Sequence, residues 1–162
     1  MPKISDPQSN QEQDISEGIL KQGFFVIGRG ALTFMTNDMR GVSRNHATIF
    51  EYFDGLYLID HSKNGTWYML PGQPIAQVYN VITKSNMALS QCEAERAKKE
   101  GAPGRILPDR KSIEKYEEDV ANFLVALRDT SQRENFAAFC PKLQDGTELY
   151  FGHKDHGYVF RT

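Results

Sequence analysis

The sequence predicts a mainly β fold, an antiparallel β-sandwich interrupted by an inserted helical segment. Short apolar runs separated by tight-turn signals fill the first half of the chain. An amphipathic helical pattern follows, and short strand-like apolar runs occur again near the end. The length of 162 residues suits a single domain. Two domains in series would leave the last strands too few to form a core of their own.

The first strands are expected in the aromatic and β-branched runs at 23–28, 46–53, 56–60 and 66–70. Asp54-Gly55 separates the second run from the third and is a strong hairpin signal. Asn64-Gly65 predicts another tight turn. Consecutive strands joined by such turns are typical of antiparallel sheets that pack as a sandwich.

A helical insert is predicted at about 79–140, with one helix expected at 86–100 and a short later helix opened by a capping box at 131–134. Between them, apolar side chains recur at helical spacing, at Ile113, Tyr116, Val120, Phe123, Leu124 and Leu127. We interpret this stripe as a face that packs on the sandwich, because it would be costly to leave in water. A second binding surface, a wall of a peptide groove and a dimer contact stay open as alternatives.

The chain ends with the Asp145-Gly146 turn and strands expected at 148–152 and 157–161. Residues 1–17 are polar with little apolar content, so they are expected to form a flexible N-terminal tail. The domain is therefore expected to span 18–162. Because the last strand runs to the final residue, we expect the chain to be a fragment of a larger protein.

Composition narrows the function classes. A formal net charge of -2 disfavours binding to a nucleic-acid backbone. No stretch approaches the roughly 18 apolar residues of a membrane span, and the N-terminus lacks a signal-peptide core. Cytoplasmic or nuclear residence is the expectation, while secretion without a cleaved signal stays open. Cys92 and Cys140 lack the spacing of a zinc or redox site, and no cofactor is expected.

Four short motifs carry the functional signal, and they occur in a fixed order. They are Gly28-Arg29, then the Ser43 to His46 segment, then Asn64-Gly65-Thr66, and finally Asp145-Gly146 leading to Phe151-Gly152. Each motif alone is weak, but the ordered set closely resembles the forkhead-associated (FHA) family pattern of G-R, S-x-x-H and N-G-T. The resemblance covers roughly residues 23–75 and 141–161. It implies an FHA-like β-sandwich that binds phosphothreonine peptides and has no catalytic residues.

The resemblance also implies which side chains bind the ligand. Arg29 and Ser43 would hold the phosphate, with Arg44 beside them. Asn64 would hydrogen-bond the backbone of the extended peptide. These residue types suit the ligand, because a phosphate monoester carries nearly two negative charges and several acceptor oxygens.

Other residues are expected to shape this site. Gly28, His46 and Gly65 would be architectural, with His46 bracing the loops rather than contacting the ligand. Arg40 and Lys63 are basic neighbours that would read side chains following the phosphothreonine, where an acidic residue would suit them.

The predicted function is phosphorylation-dependent protein–protein interaction, as the targeting unit of a larger signalling protein such as a kinase. The expected partner is a phosphothreonine-containing protein, and neither nucleic acid nor membrane; the oligomeric state stays open. The alternative is a phosphate-independent interaction or dimerisation protein that acts through the insert. His153 and His156 stand three apart in a loop without further ligands, so a metal site is disfavoured.

Overall fold

A computed structural model describes residues 1–29, 41–82 and 110–162. Within them the elements follow in the order β1 Lys3–Asp6, β2 Gln11–Asp14, α1 Ser16–Gln22, β3 Phe24–Ile27, β4 Ala47–Tyr52, β5 Gly55–Asp60, β6 Thr66–Met69, β7 Ala76–Gln77, α2 Arg110–Ala126, α3 Thr130–Ala137, β8 Thr147–Phe151 and β9 Gly157–Arg161. None of the described helices is long and apolar enough to cross a membrane.

The strands form two antiparallel sheets, which confirms the predicted mainly β fold. One sheet has the order β2-β1-β9-β8-β6-β7, and the other has the order β3-β4-β5. Alternate residues of β8 and β9 point into the protein, so that Leu149, Phe151, Tyr158 and Phe160 are buried. They share one apolar cluster with Ile49 of the second sheet.

The β4–β5 hairpin is buried on both of its faces along most of β4. Ile49 belongs to the cluster between the sheets, whereas Phe50 belongs to a second cluster on the other side. Both side chains are fully buried, as are Ala47 and Thr48. An antiparallel strand with one wet face would alternate between buried and exposed residues, so another element must cover the outer face of this hairpin.

The helical insert provides that cover. Phe123 and Leu127 of the α2 region are buried against Phe24, Phe50 and Ile59 of the three-stranded sheet. The stripe therefore packs on the sandwich, as we interpreted it from its spacing. The side chain of Ile113 and the helix expected at 86–100 lie outside the described part of the chain.

The cap of the second insert helix differs from the predicted one. Asp129 is the N-cap, and its side chain accepts from the backbone N–H of Ser131 at 2.9 Å. The capping box expected to begin at Ser131 therefore lies two residues too late. Aspartate is as good an N-cap as serine, and both candidates stand in this stretch, so local sequence alone does not decide between them.

The prediction of a flexible tail at residues 1–17 is wrong. Strands β1 and β2 pair with each other, and β1 also pairs with β9 in the six-stranded sheet. Ile4 and Ile15 are buried in the core between the sheets. Burial of these two isoleucines and pairing of β1 with β9 order a segment whose composition is otherwise that of a tail.

Candidate functional site

The predicted site residues lie on the loops that join β3 to β4 and β5 to β6. Ile27 ends β3, and its carbonyl accepts from the backbone N–H of His46 at 2.7 Å, just before β4 begins. Two residues further on, the Arg29 N–H donates to the Ser43 carbonyl at 3.1 Å. Backbone pairing continues beyond the strand ends and holds Arg29 beside Ser43.

Gly28 lies where these two chain segments approach too closely for a side chain. A Cβ atom at this position would lie 1.8 Å from the carbonyl oxygen of Arg44 and 2.8 Å from that of Ser43. Both distances are shorter than any tolerable contact. Only glycine allows the Arg29 segment to pair with the Ser43 segment in this way.

His46 connects the two loops. Its Nδ1 accepts from the Ser43 N–H at 3.0 Å, and its Nε2–H donates to the Gly65 carbonyl at 2.8 Å. The ring is fully buried and meets Phe151 edge-on, with 5.6 Å between the ring centroids. Burial lowers the pKa of His46 to about 4, so the imidazole is neutral at physiological pH and has one donor and one acceptor nitrogen for its two partners.

The second loop is held by a buried carboxylate whose role the sequence did not reveal. Asp60 accepts from the Ser62 N–H at 3.0 Å, the Thr66 hydroxyl at 2.8 Å and the Asn80 amide at 2.8 Å. Burial nevertheless raises its pKa above the usual value. Within the turn, the Ser62 hydroxyl accepts from the Gly65 N–H at 2.8 Å. The loop is therefore braced from inside the protein, which leaves its outer side chains exposed.

Direct contacts bring the two loops together at the surface. The Lys63 N–H donates to the Ser43 hydroxyl at 3.3 Å. The Asn64 side-chain amide donates to the Gly41 carbonyl at 3.1 Å, and Asn64 is itself exposed. These contacts bring Ser43 to the same edge of the sandwich as Lys63 and Asn64, which follow it by about twenty positions in the chain.

The arginines differ in their surroundings. Arg29 is half-buried, and its Nε–H has no acceptor among the described residues. Arg44 is exposed next to Ser43. Arg40 lies outside the described residues. A buried guanidinium N–H without a partner is uncommon, and it points to a group that an anion can satisfy.

A side chain of the insert also reaches this site. Tyr116 of α2 donates a short hydrogen bond to the His61 carbonyl, near the start of the β5–β6 loop. Burial raises the pKa of Tyr116 to about 12. The ring of Phe123 contacts that of His61 at 5.4 Å between centroids. The sequence marked Tyr116 only as a member of the apolar stripe, and no motif linked it to the β5–β6 loop.

The β8–β9 loop closes the other side of the site. The Gly152 N–H donates to the Gly65 carbonyl at 2.9 Å, and a Cβ at position 152 would lie 2.1 Å from the Gly41 carbonyl oxygen. Beyond it, the Lys154 ammonium lies 5.2 Å from the centroid of the Trp67 ring. The Phe151-Gly152 motif was noticed in the sequence, but its contact with both loops is a property of the fold.

The resulting surface offers donors and positive charge. Arg29, Ser43, Arg44, Lys63 and Asn64 lie on adjoining loops and are half-buried or exposed. In the described ranges no three His, Cys, Asp or Glu side chains are grouped to hold a metal ion. A multivalent oxyanion suits this surface, because guanidinium, ammonium, hydroxyl and amide donors lie on loops that buried hydrogen bonds hold in place.

Comparison with known proteins agrees with this geometry. The family model of the FHA domain matches residues 25–88, which is less than half of the chain but includes the Arg29, Ser43 and Asn64 loops. No curated protein and no solved structure matches the chain.

Residues 25–88, which carry the two loops, thus match the FHA domain, a family of generally phosphopeptide-binding interaction modules. FHA domains are protein-interaction modules rather than enzymes, and they bind phosphothreonine-containing proteins in general. The helices α2 and α3 lie outside the matched range.

Proposed function

We propose that this chain binds phosphothreonine in extended peptide segments and thereby recruits a partner after a Ser/Thr kinase has acted. The observation that carries the proposal is the convergence of Arg29, Ser43 and Lys63. Arg29 is tied to Ser43 through the backbone, and the Ser43 hydroxyl accepts from the Lys63 N–H. These bonds hold three donor-bearing residues at one point before any ligand arrives, which lowers the entropic cost of binding.

The phosphate would be held by the Arg29 guanidinium and the Ser43 hydroxyl, with Arg44 adding positive charge from the exposed side. Charge-assisted hydrogen bonds are roughly twice as strong as neutral ones. The Arg29 Nε–H, which has no acceptor among the described residues, would gain one. Burying that N–H without a partner costs about 1–3 kcal/mol, which a bound anion would recover.

The peptide backbone would be held by Asn64. Its amide already bonds a backbone carbonyl, that of Gly41, so the side chain is oriented and lies exposed at the rim. Exchanging this carbonyl for one of the peptide costs little, because one neutral hydrogen bond replaces another. Lys63 and Arg40 would favour acidic side chains that follow the phosphothreonine.

The proposal has two further parts. The chain prefers phosphothreonine over phosphoserine, and it acts as the targeting unit of a larger signalling protein without chemistry of its own. The FHA family match supports phosphopeptide binding as a general property of such modules. The alternative, a phosphate-independent contact through the insert, requires its apolar stripe at the surface. Phe123 and Leu127 are instead buried against the sandwich, so this alternative has less support.

The test is fluorescence-anisotropy binding to a degenerate phosphothreonine peptide pool, with phosphoserine and unphosphorylated pools measured beside it. We expect saturable binding to the phosphothreonine pool alone, and its loss in Arg29→Ala. The matched control is Arg128→Ala, an exposed arginine that lies two residues beyond the end of α2. Equal binding of all pools, or unchanged binding by Arg29→Ala, would refute the proposal.

A further inference from the structure

The β8–β9 loop, residues 152–156, adjoins the loop that carries Asn64. The Asn64 amide donates to the Gly41 carbonyl at 3.1 Å, and a Cβ at Gly152 would lie 2.1 Å from that same oxygen. His153 follows directly, and its ring Cδ2 would lie 3.8 Å from a Cβ at Gly41. The loop therefore lies beside the side chain that we assign to the peptide backbone. It falls outside the range matched to the FHA family.

Lys154, the next residue of this loop, is held over an aromatic ring. Its ammonium lies 5.2 Å from the centroid of the Trp67 ring. The indole in turn lies against Gly65, because its Cη2 would be 3.3 Å from a Cβ at that position. Trp67 is half-buried, and Lys154 is exposed. The attraction between a cation and an aromatic face keeps the ammonium on the side of the loop next to Gly65.

The polar groups of the β8–β9 loop leave two donors for a ligand. No ion pair within the described ranges involves Lys154, although Asp155 follows it in the chain. The Asp155 backbone N–H donates to the Nδ1 of His153 at 3.3 Å, so a neutral His153 carries its proton on Nε2. This nitrogen is bonded to the Cδ2 atom that approaches Gly41. An imidazole N–H and an ammonium therefore lie next to the Asn64 contact.

We propose that Lys154, with His153 beside it, binds an acidic side chain of the peptide, so that the β8–β9 loop determines part of the sequence preference. The inference rests on the proposed phosphothreonine-binding function. An extended peptide advances about 3.3 Å per residue, so a chain with its phosphate at Ser43 and its backbone at Asn64 reaches this loop within a few residues. A carboxylate suits both donors. An apolar side chain does not, because it would have to displace the lysine from the Trp67 ring.

This contact differs from the one expected of Lys63. Lys63 adjoins Ser43, because its backbone N–H donates to the serine hydroxyl. Lys154 lies over the Trp67 ring instead, next to Gly65. The two lysines are therefore expected to read different positions of the peptide, and a change at Lys154 should affect one position and leave the other as it is.

The experiment measures peptide selectivity rather than affinity alone. The wild type is titrated by fluorescence anisotropy with labelled phosphothreonine peptides in which one position, within about four residues of the phosphothreonine, is Asp, Gln or Lys in turn. At the position that Lys154 reads, we expect Asp to bind about 2- to 5-fold tighter than Gln, the range of an exposed ion pair. Because the contact is exposed, this preference should shrink at high salt concentration.

Charge reversal at Lys154 separates a specificity role from a structural one. Lys154→Glu should invert the order at one position, so that Lys in the peptide binds tighter than Asp there. A merely structural role would weaken all peptides alike and invert nothing. The matched control is Lys21→Glu, which changes the net charge equally at an exposed lysine of α1, at the opposite end of β3 from Arg29. It should leave the order intact.

If Lys154→Glu does not fold, Lys154→Gln is titrated instead, and the preference for Asp should disappear at that position. Normal binding by the wild type, with no position at which the order changes in the Lys154 variant, would overturn the inference alone. Failure of the wild type to bind any phosphothreonine peptide would overturn the proposed function and the inference with it.

Discussion

The Nε2–H of His46 donates to the Gly65 carbonyl at 2.8 Å, and this bond joins the two loops of the proposed binding site. The same ring accepts from the Ser43 N–H through its other nitrogen. A protonated imidazole has two donors and no acceptor, so it cannot keep the bond to Ser43. The architecture of the site therefore depends on a neutral histidine.

Stability should fall as the pH is lowered from about 6.5 toward 4. Burial lowers the pKa of His46 to about 4 and that of His61 to about 3, from an ordinary value of 6.5. The unfolded chain takes up these protons first, so the folded state loses stability through this window and none above it. Between pH 7 and pH 5, each histidine should cost about 2 kcal/mol of unfolding free energy.

Urea unfolding followed by circular dichroism at pH 7 and pH 5 measures this loss. His46→Gln removes one titrating group and should reduce the difference between the two pH values by about half. Equal unfolding free energies for the wild type at both pH values would contradict the neutral, buried histidines.

Gly28→Ala should disrupt the site. The new Cβ would clash with the Arg44 carbonyl, so the Arg29 and Ser43 segments must separate. We expect a loss of at least about 1–3 kcal/mol of stability and a marked loss of phosphopeptide affinity. Gly72→Ala is the matched control. Its φ of +74° also disfavours a side chain, but nothing lies near its Cβ, so it should lose some stability and keep its affinity.

Ile4→Ala should destabilise the protein by about 2–5 kcal/mol in urea unfolding, because the side chain is fully buried between the sheets. Gln8→Ala, in the exposed turn between β1 and β2, should change stability by no more than about 0.5 kcal/mol. A similar small effect for both variants would support the flexible tail that the composition predicts.

Phe123→Ala should cost about 3–5 kcal/mol, because the ring is buried against the outer face of the three-stranded sheet and against His61. Val125 lies on the same helix but is 61% exposed, so Val125→Ala should have little effect. Differential scanning calorimetry of both variants measures the contrast. A small effect of Phe123→Ala would show that packing of the insert contributes little to the stability of the domain.

The strands β3, β4, β5, β6, β8 and β9 and the turns between them were predictable because their signals are local. Asp54-Gly55 and Asn64-Gly65 specify tight turns whatever surrounds them, and β8 alternates buried and half-buried residues along its length. Gly28-Arg29 and the Ser43 to His46 segment are short motifs, weak alone, whose fixed order can be recognised in the sequence. The family match at 25–88 includes these turns and motifs but not β8.

The N-terminal strands and the role of Tyr116 were not predictable, since both depend on contacts distant in the chain. The composition of residues 1–17 predicts a tail. In the structure, β1 pairs with the edge of β9, and Ile4 is buried. In the sequence Tyr116 is one more residue of the apolar stripe, and only the packing of α2 on the sheet brings its hydroxyl to the His61 carbonyl. The sequence by itself determined the fold class and the positions of the two loops that carry the proposed site, because turn and strand preferences act over a few residues. Only the tertiary structure decided which distant groups complete the sheet and contact the site, because hydrogen bonding across more than fifty positions leaves no local pattern.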